Sequence, residues 1–166
     1  MGLIKKSVSD TERKSRYARY AMRVFKDCHV LNEWKAYVET SEYKRFKQNY
    51  IRDEGTTDAW YDCELCADIL GSCNFTDYLK CEYGNKFPIY NMFLAYLWIF
   101  DREELDKYIK KFRFFSHPAQ TFDNTLYSCN QKARRIVNKW LKIGVNNGNI
   151  TEEEYQKVLA VNKNIF

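Results

Sequence analysis

Two prolines and six glycines are the only residues of their kind in 166, so chain breaks are few and long helices have room to run uninterrupted. No segment alternates apolar and polar side chains with a period of two, which argues against sheet. No apolar run reaches the ~18 residues of a membrane span. The longest, residues 87–100 (FPIYNMFLAYLWIF), is interrupted by Asn91 and reads as a buried core helix. No secretory leader is expected, because Leu3-Ile4 runs straight into Lys5-Lys6. Lys6 stands where a myristoylation motif at Gly2 needs Ser or Thr, and Asp10 and Glu12 count against an organelle presequence over 5–26. The expected location is cytoplasmic, in a reducing compartment.

The chemistry of common enzymes is absent too. There is no glycine-rich phosphate loop, no Gly-x-Ser-x-Gly elbow and no His-Glu-x-x-His. The two histidines, His29 beside Cys28 and His117 beside Pro118, lie far apart in the chain. Nothing in the sequence pairs Cys28 with His117 as thiol and base, so a helix-end histidine and a loop histidine are expected. All-α nucleotide pyrophosphatases carry Glu-x-x-Glu followed by Glu-x-x-Asp. Glu39-x-x-Glu42 and Glu103-x-x-Asp106 have the spacings, but the stretch between them is far longer than two adjacent helices need. Asp58 with Asp62 and Glu64 with Asp68 are i,i+4 pairs that would hold Mg²⁺ only with help from a second helix, and a solvated acidic face explains them more simply. The expectation leans away from an enzyme, with no cofactor.

What the chain does have is aromatic side chains, with 4 Trp, 13 Tyr and 11 Phe, set among 27 Lys and Arg. At this length one domain spanning 1–166 is expected to bury roughly 70% of its unfolded surface, with residues 1–8 disordered. The capping residues and 3.6-residue periodicity predict a compact all-α bundle of six to eight helices around an aromatic-rich core. Ser9 or Asp10 caps a helix to Lys26, and a second helical run covers 30–53 with a break near Thr40-Ser41. Thr57 caps another helix that closes at Gly71, and residues 72–86 read as irregular. Pro88 precedes the apolar helix and Asp101 caps the next one, DREELDKYIKKF. Residues 114–124 read as a loop. A long helix is expected over 125–143, with Gly144 to Gly148 turning the chain into a last short helix that starts at Thr151-Glu152-Glu153-Glu154.

Cys63, Cys66, Cys73 and Cys81 form C-x2-C-x6-C-x7-C, a spacing that arithmetic alone makes a zinc site. Cys63 and Cys66 share an apolar stripe with Trp60 and Ile69, and the spacers lack the Gly and Pro of a metal knuckle. Buried structural cysteines are therefore expected, ahead of zinc and of an oxidised pair.

Charge falls in three blocks. Residues 1–53 carry 13 Lys/Arg against 7 Asp/Glu, residues 54–106 carry 3 against 11, and residues 107–166 carry 11 against 4. Either the acidic middle packs between basic ends, or the ends form a surface for a polyanion. Two amphipathic helices favour the second view. Arg16, Arg19, Arg23 and Lys26, with Tyr20 at the border, form a cationic ridge opposite an apolar face. Lys132, Arg135, Lys139 and Lys142 form another, with Ala133, Ile136, Val137 and Trp140 on its core side. Such ridges match the phosphates of nucleic acid and would bind them with strong salt dependence and no sequence reading. Tyr20, Tyr43 and Tyr83 are candidate base-stacking residues or protein-interface anchors. The sequence thus predicts a non-catalytic helical protein that binds nucleic acid or a ribonucleoprotein. The alternative is a protein–protein interaction module, either an assembly subunit or a small inhibitor of the kind viruses encode, with the acidic middle as a docking face.

Overall fold

The computed structural model describes residues 10–54, 74–85, 88–106 and 131–161. They form an all-α bundle, with no strand among the described residues. In chain order the helices are α1 (Asp10–Asp27), α2 (Leu31–Tyr37), α3 (Ser41–Glu54), α4 (Asn74–Tyr83), α5 (Ile89–Phe100), α6 (Gln131–Asn146) and α7 (Glu152–Val161), and residues 102–106 make a further helical turn.

The apolar run is the centre of the bundle. Eight of the twelve residues of α5 are buried, as expected of a helix that is hydrophobic all round. α1 and α6 pack on it, α4 touches it, α2 bridges α1 and α4, and α7 lies on α6. α1 contributes Ala21, Val24, Phe25 and Cys28, and α6 contributes Ala133, Val137, Trp140 and Leu141. Cys28 is thus a small core hydrophobe, 2% exposed, which removes it as an accessible nucleophile. The aromatics form two clusters. Phe25, Trp34, Tyr37, Tyr43 and Phe75 stack edge and face where α1, α2, α3 and α4 meet, with ring centroids 4.8 to 6.0 Å apart. Tyr20, Tyr96, Phe100 and Trp140 join α1, α5 and α6.

The expected break between α2 and α3 is present, and Thr40 makes it. Its hydroxyl donates to the Tyr37 carbonyl at 2.6 Å and accepts from the Tyr43 amide at 3.2 Å, capping α3. Asp101 caps as expected, accepting from the Glu104 amide.

Two expectations are corrected. Residues 74–83 are helical rather than irregular, because Phe75 and Leu79, one turn apart and fully buried, anchor α4 to the core. Gly144 does not turn the chain but lies inside α6, and the turn falls at 147–150. The predicted helix over 57–71, the loop at 114–124 with His117, the carboxylates Asp58, Asp62, Glu64 and Asp68, and residues 1–8 lie outside the described residues.

α7 begins with a reciprocal capping box. The Thr151 amide donates to Glu154 Oε1 at 3.1 Å and the Glu154 amide donates to Thr151 Oγ1 at 3.0 Å. The other carboxylate oxygen of Glu154 takes Arg102, whose guanidinium also lies 4.0 Å from the Trp98 ring centroid. Partial burial pushes the Glu154 carboxyl up, but hydrogen bonds from Arg102 and Thr151 outweigh it and hold the carboxyl below its usual range. Glu154→Ala is expected to destabilise by about 1–2 kcal/mol. Glu154→Gln, which keeps the box and loses only the half-exposed ion pair, should cost about 0.5 kcal/mol. A carboxyl lowered by folding stabilises fully above the ordinary glutamate range and loses that contribution as pH falls through the lowered value. Urea titrations of both variants at neutral and acidic pH check this, since the gap between wild type and Glu154→Ala should narrow in acid.

Candidate nucleic-acid interface

The two predicted ridges lie on helices that both pack on α5, and one carboxylate joins them. Asp27, at the last position of α1, accepts the indole N–H of Trp140 from α6 at 2.8 Å. The same oxygen takes the Nε of Arg23 at 3.3 Å, one turn back on α1. Between the helices runs a groove of about 350 Å³, lined by Lys26, Asp27 and His29 from the end of α1 and by Ile136, Lys139 and Trp140 from α6. Lys26 and Lys139, one from each ridge, therefore meet in one place.

The other predicted residues divide. Arg19, Lys132, Arg135 and Lys142 are exposed, and their side chains, like those of Lys26 and Lys139, make no ion pair or hydrogen bond among the described residues. Lys132 stands one turn before Ile136 and two turns before Lys139 on α6, but it is not among the residues lining the groove. Arg135 and Lys142 lie outside the groove lining. Arg23 is exposed but spends its guanidinium on Asp27, and Arg16 is half-buried.

The tyrosines divide as well. Tyr43 is 7% exposed, inside the aromatic core, and cannot stack on a base. Tyr20 is half-buried, with its hydroxyl donating to Asp101 at 2.7 Å and its ring 5.5 Å from that of Tyr96. Burial first and the Asp101 carboxylate second push its hydroxyl pKa far up. Tyr20 thus ties α1 to the start of the turn after α5. Tyr83 is exposed, but it belongs to α4, where its ring meets Tyr78. The Tyr96 hydroxyl also sits within the field of the ridge: burial raises its pKa, Arg23 and Arg19 oppose the rise, and Asp27 adds to it.

Asp27 and His29 were not singled out by spacing as parts of the site. Asp27 carries a readable signal, since it follows Arg23 by four residues on one helix face. Its Trp140 partner is 113 residues away, and no local pattern reports such a contact.

A second, acidic groove of about 180 Å³ is lined by Glu42, Asn74, Asp77, Tyr78, Cys81 and Glu82. Cys81 is a free, exposed thiol there. Cys63, Cys66 and Cys73 lie outside the described residues, and among the described residues no cluster of His, Cys, Asp and Glu is arranged to hold a metal ion. Nor is any described helix long and apolar enough to cross a membrane.

Fold and groove define an all-helical protein with a cationic cleft between two helices. No protein family, curated protein or solved structure matches the chain.

Proposed function

We propose that the protein is a non-catalytic nucleic-acid-binding or ribonucleoprotein-binding protein that grips phosphates at the groove between α1 and α6. The observation that carries this reading is the meeting of Lys26 and Lys139, both exposed and unpaired among the described residues, in one groove. Lysines without carboxylate partners are available to phosphates, and each phosphate they neutralise releases cations condensed on the nucleic acid. Asp27 offsets them only in part, because its carboxylate is shared with Arg23 and with the Trp140 N–H. Arg19, Lys132, Arg135 and Lys142 extend the positive field on both flanks, which steers a polyanion towards the groove.

Binding of a duplex RNA measured against salt tests this. Lys26→Gln with Lys139→Gln should flatten the log–log salt slope by roughly 2, or about 0.9 per lost phosphate contact. The pair Arg135→Gln with Lys142→Gln, which removes the same charge outside the groove, should flatten it less. Asp27→Asn should strengthen binding several-fold, since the replacement amide oxygen still accepts from Trp140 while a negative charge leaves the groove. No measurable binding by the wild-type protein at low salt would sink the proposal.

The acidic groove of α3 and α4, with exposed Tyr83 packed on its lining residue Tyr78, favours a second reading. There the chain is an interaction module, an assembly subunit or a small inhibitor, docking on a larger protein through this face. Affinity purification with nuclease treatment of half the sample separates the two. A co-purifying polyanion lost on treatment supports the first, and a protein partner that persists supports the second.

A further inference from the structure

We infer that His29 is a phosphate-contacting residue of the groove, completing with Lys26 and Lys139 a three-residue anion site. The inference rests on the nucleic-acid reading above and adds to it a residue that charge spacing does not point to. It comes from the backbone. α1 ends in a paired hydrogen-bond motif: the His29 amide donates to the Lys26 carbonyl at 3.1 Å and the Val30 amide to the Phe25 carbonyl at 2.9 Å. Val30 and Phe25 are both fully buried, the apolar contact that accompanies such a cap. The motif places its penultimate residue in the left-handed region, and His29 has φ 59°.

α6 ends in the same way. There the Gly148 amide donates to the Val145 carbonyl at 3.1 Å and the Asn149 amide to the Gly144 carbonyl at 2.8 Å, with Gly148 at φ 77°. Gly84, after α4, is the other left-handed position among the described residues. Among the described residues, glycine thus takes two left-handed helix-end positions and histidine one. Glycine adopts this conformation without the steric penalty that a Cβ brings, so histidine there is unfavourable for the backbone. Backbone penalties of this kind collect at functional positions.

The side chain does not offset that penalty by packing. The imidazole is exposed, makes no hydrogen bond or ion pair among the described residues, and lines the groove beside the two lysines. An imidazole keeps an N–H donor in either tautomer, so it can donate to a phosphate oxygen that Lys26 and Lys139 hold. The one competing structural role is a favourable interaction with the negative end of the α1 dipole.

His29→Gly distinguishes these. In the full-length protein it should raise the melting temperature, because the backbone penalty is relieved. It should also weaken binding to a short duplex RNA at low salt by about tenfold or more, the worth of one hydrogen bond to a charged group. His29→Asn, which tolerates the left-handed backbone and retains an amide donor, should lose less affinity than His29→Gly. If wild type binds in a Lys26- and Lys139-dependent way while His29→Gly binds equally well, His29 is not a contact and only this inference falls. If His29→Gly loses stability along with affinity, His29 acts through the helix end, and the inference is again overturned. If wild type does not bind the duplex at all, the inference falls together with the reading it rests on.

Discussion

Replacing Trp140 by alanine should cost about 3–5 kcal/mol of folding stability, the range for deleting a buried tryptophan. The side chain is 2% exposed and meets the Tyr96 ring edge-on with centroids 5.3 Å apart, which joins α6 to the central α5. Its N–H is also the donor that ties Asp27, and with it the end of α1, to the middle of α6. Removing the indole therefore opens a cavity at a three-helix junction and leaves a half-buried carboxylate with Arg23 as its remaining described partner. Trp140→Phe separates the two losses. Much of the ring stays, the hydrogen bond goes, and the expected cost falls to about 1–2 kcal/mol. Adding Asp27→Asn to Trp140→Phe should then cost less than Asp27→Asn alone, since the bond it weakens is already gone. Urea unfolding of the wild type and these four variants gives all the terms. A Trp140→Ala penalty below about 1 kcal/mol would mean that α6 is not packed on α5 as described.

How much of this was legible depends on the range of the interaction involved. α5 was readable because a run of apolar residues with one Asn has no stable place but the centre, and eight of its residues are indeed buried. The break at Thr40 and the box at Thr151 and Glu154 were readable because capping is chemistry between near neighbours. α4 was missed because Phe75 and Leu79 are its only fully buried residues, too few to show a period in so short and polar a segment. The ridges were legible as faces, since 3- and 4-residue spacing places Lys132, Arg135, Lys139 and Lys142 together on one side of a helix. Which members meet the other helix was not legible, because the clamp between Asp27 and Trp140 spans 113 residues. Tyr43 shows the same limit from the other side. It sits among charged residues in the sequence, but the fold closes Trp34 and Tyr37 over it.

Glycine usually marks a turn, but Gly144 is buried inside α6, and its role there predicts the second large effect. It lies where α6 crosses α5, and a Cβ built on it would stand 2.7 Å from Ile99 Cγ2 and 3.4 Å from Ile150 Cγ1. The Ile99 methyl is attached directly to its own Cβ and cannot swing away, so the helices must separate or Ile99 must leave its rotamer. Gly144→Ala should therefore destabilise by about 1–3 kcal/mol, even though alanine is the better helix former by about 1 kcal/mol. Ile99→Ala alone should cost about 2–5 kcal/mol as a cavity in the centre of the bundle. Together the two changes should cost less than their sum by about 1–2 kcal/mol, because the truncated isoleucine leaves room for the new methyl. Thermal or urea unfolding of the two single variants and the double variant measures that coupling. Strict additivity would mean that the contact between Ile99 and Gly144 does not set the distance between α5 and α6, and with it the placement of the cationic face of α6 beside α1.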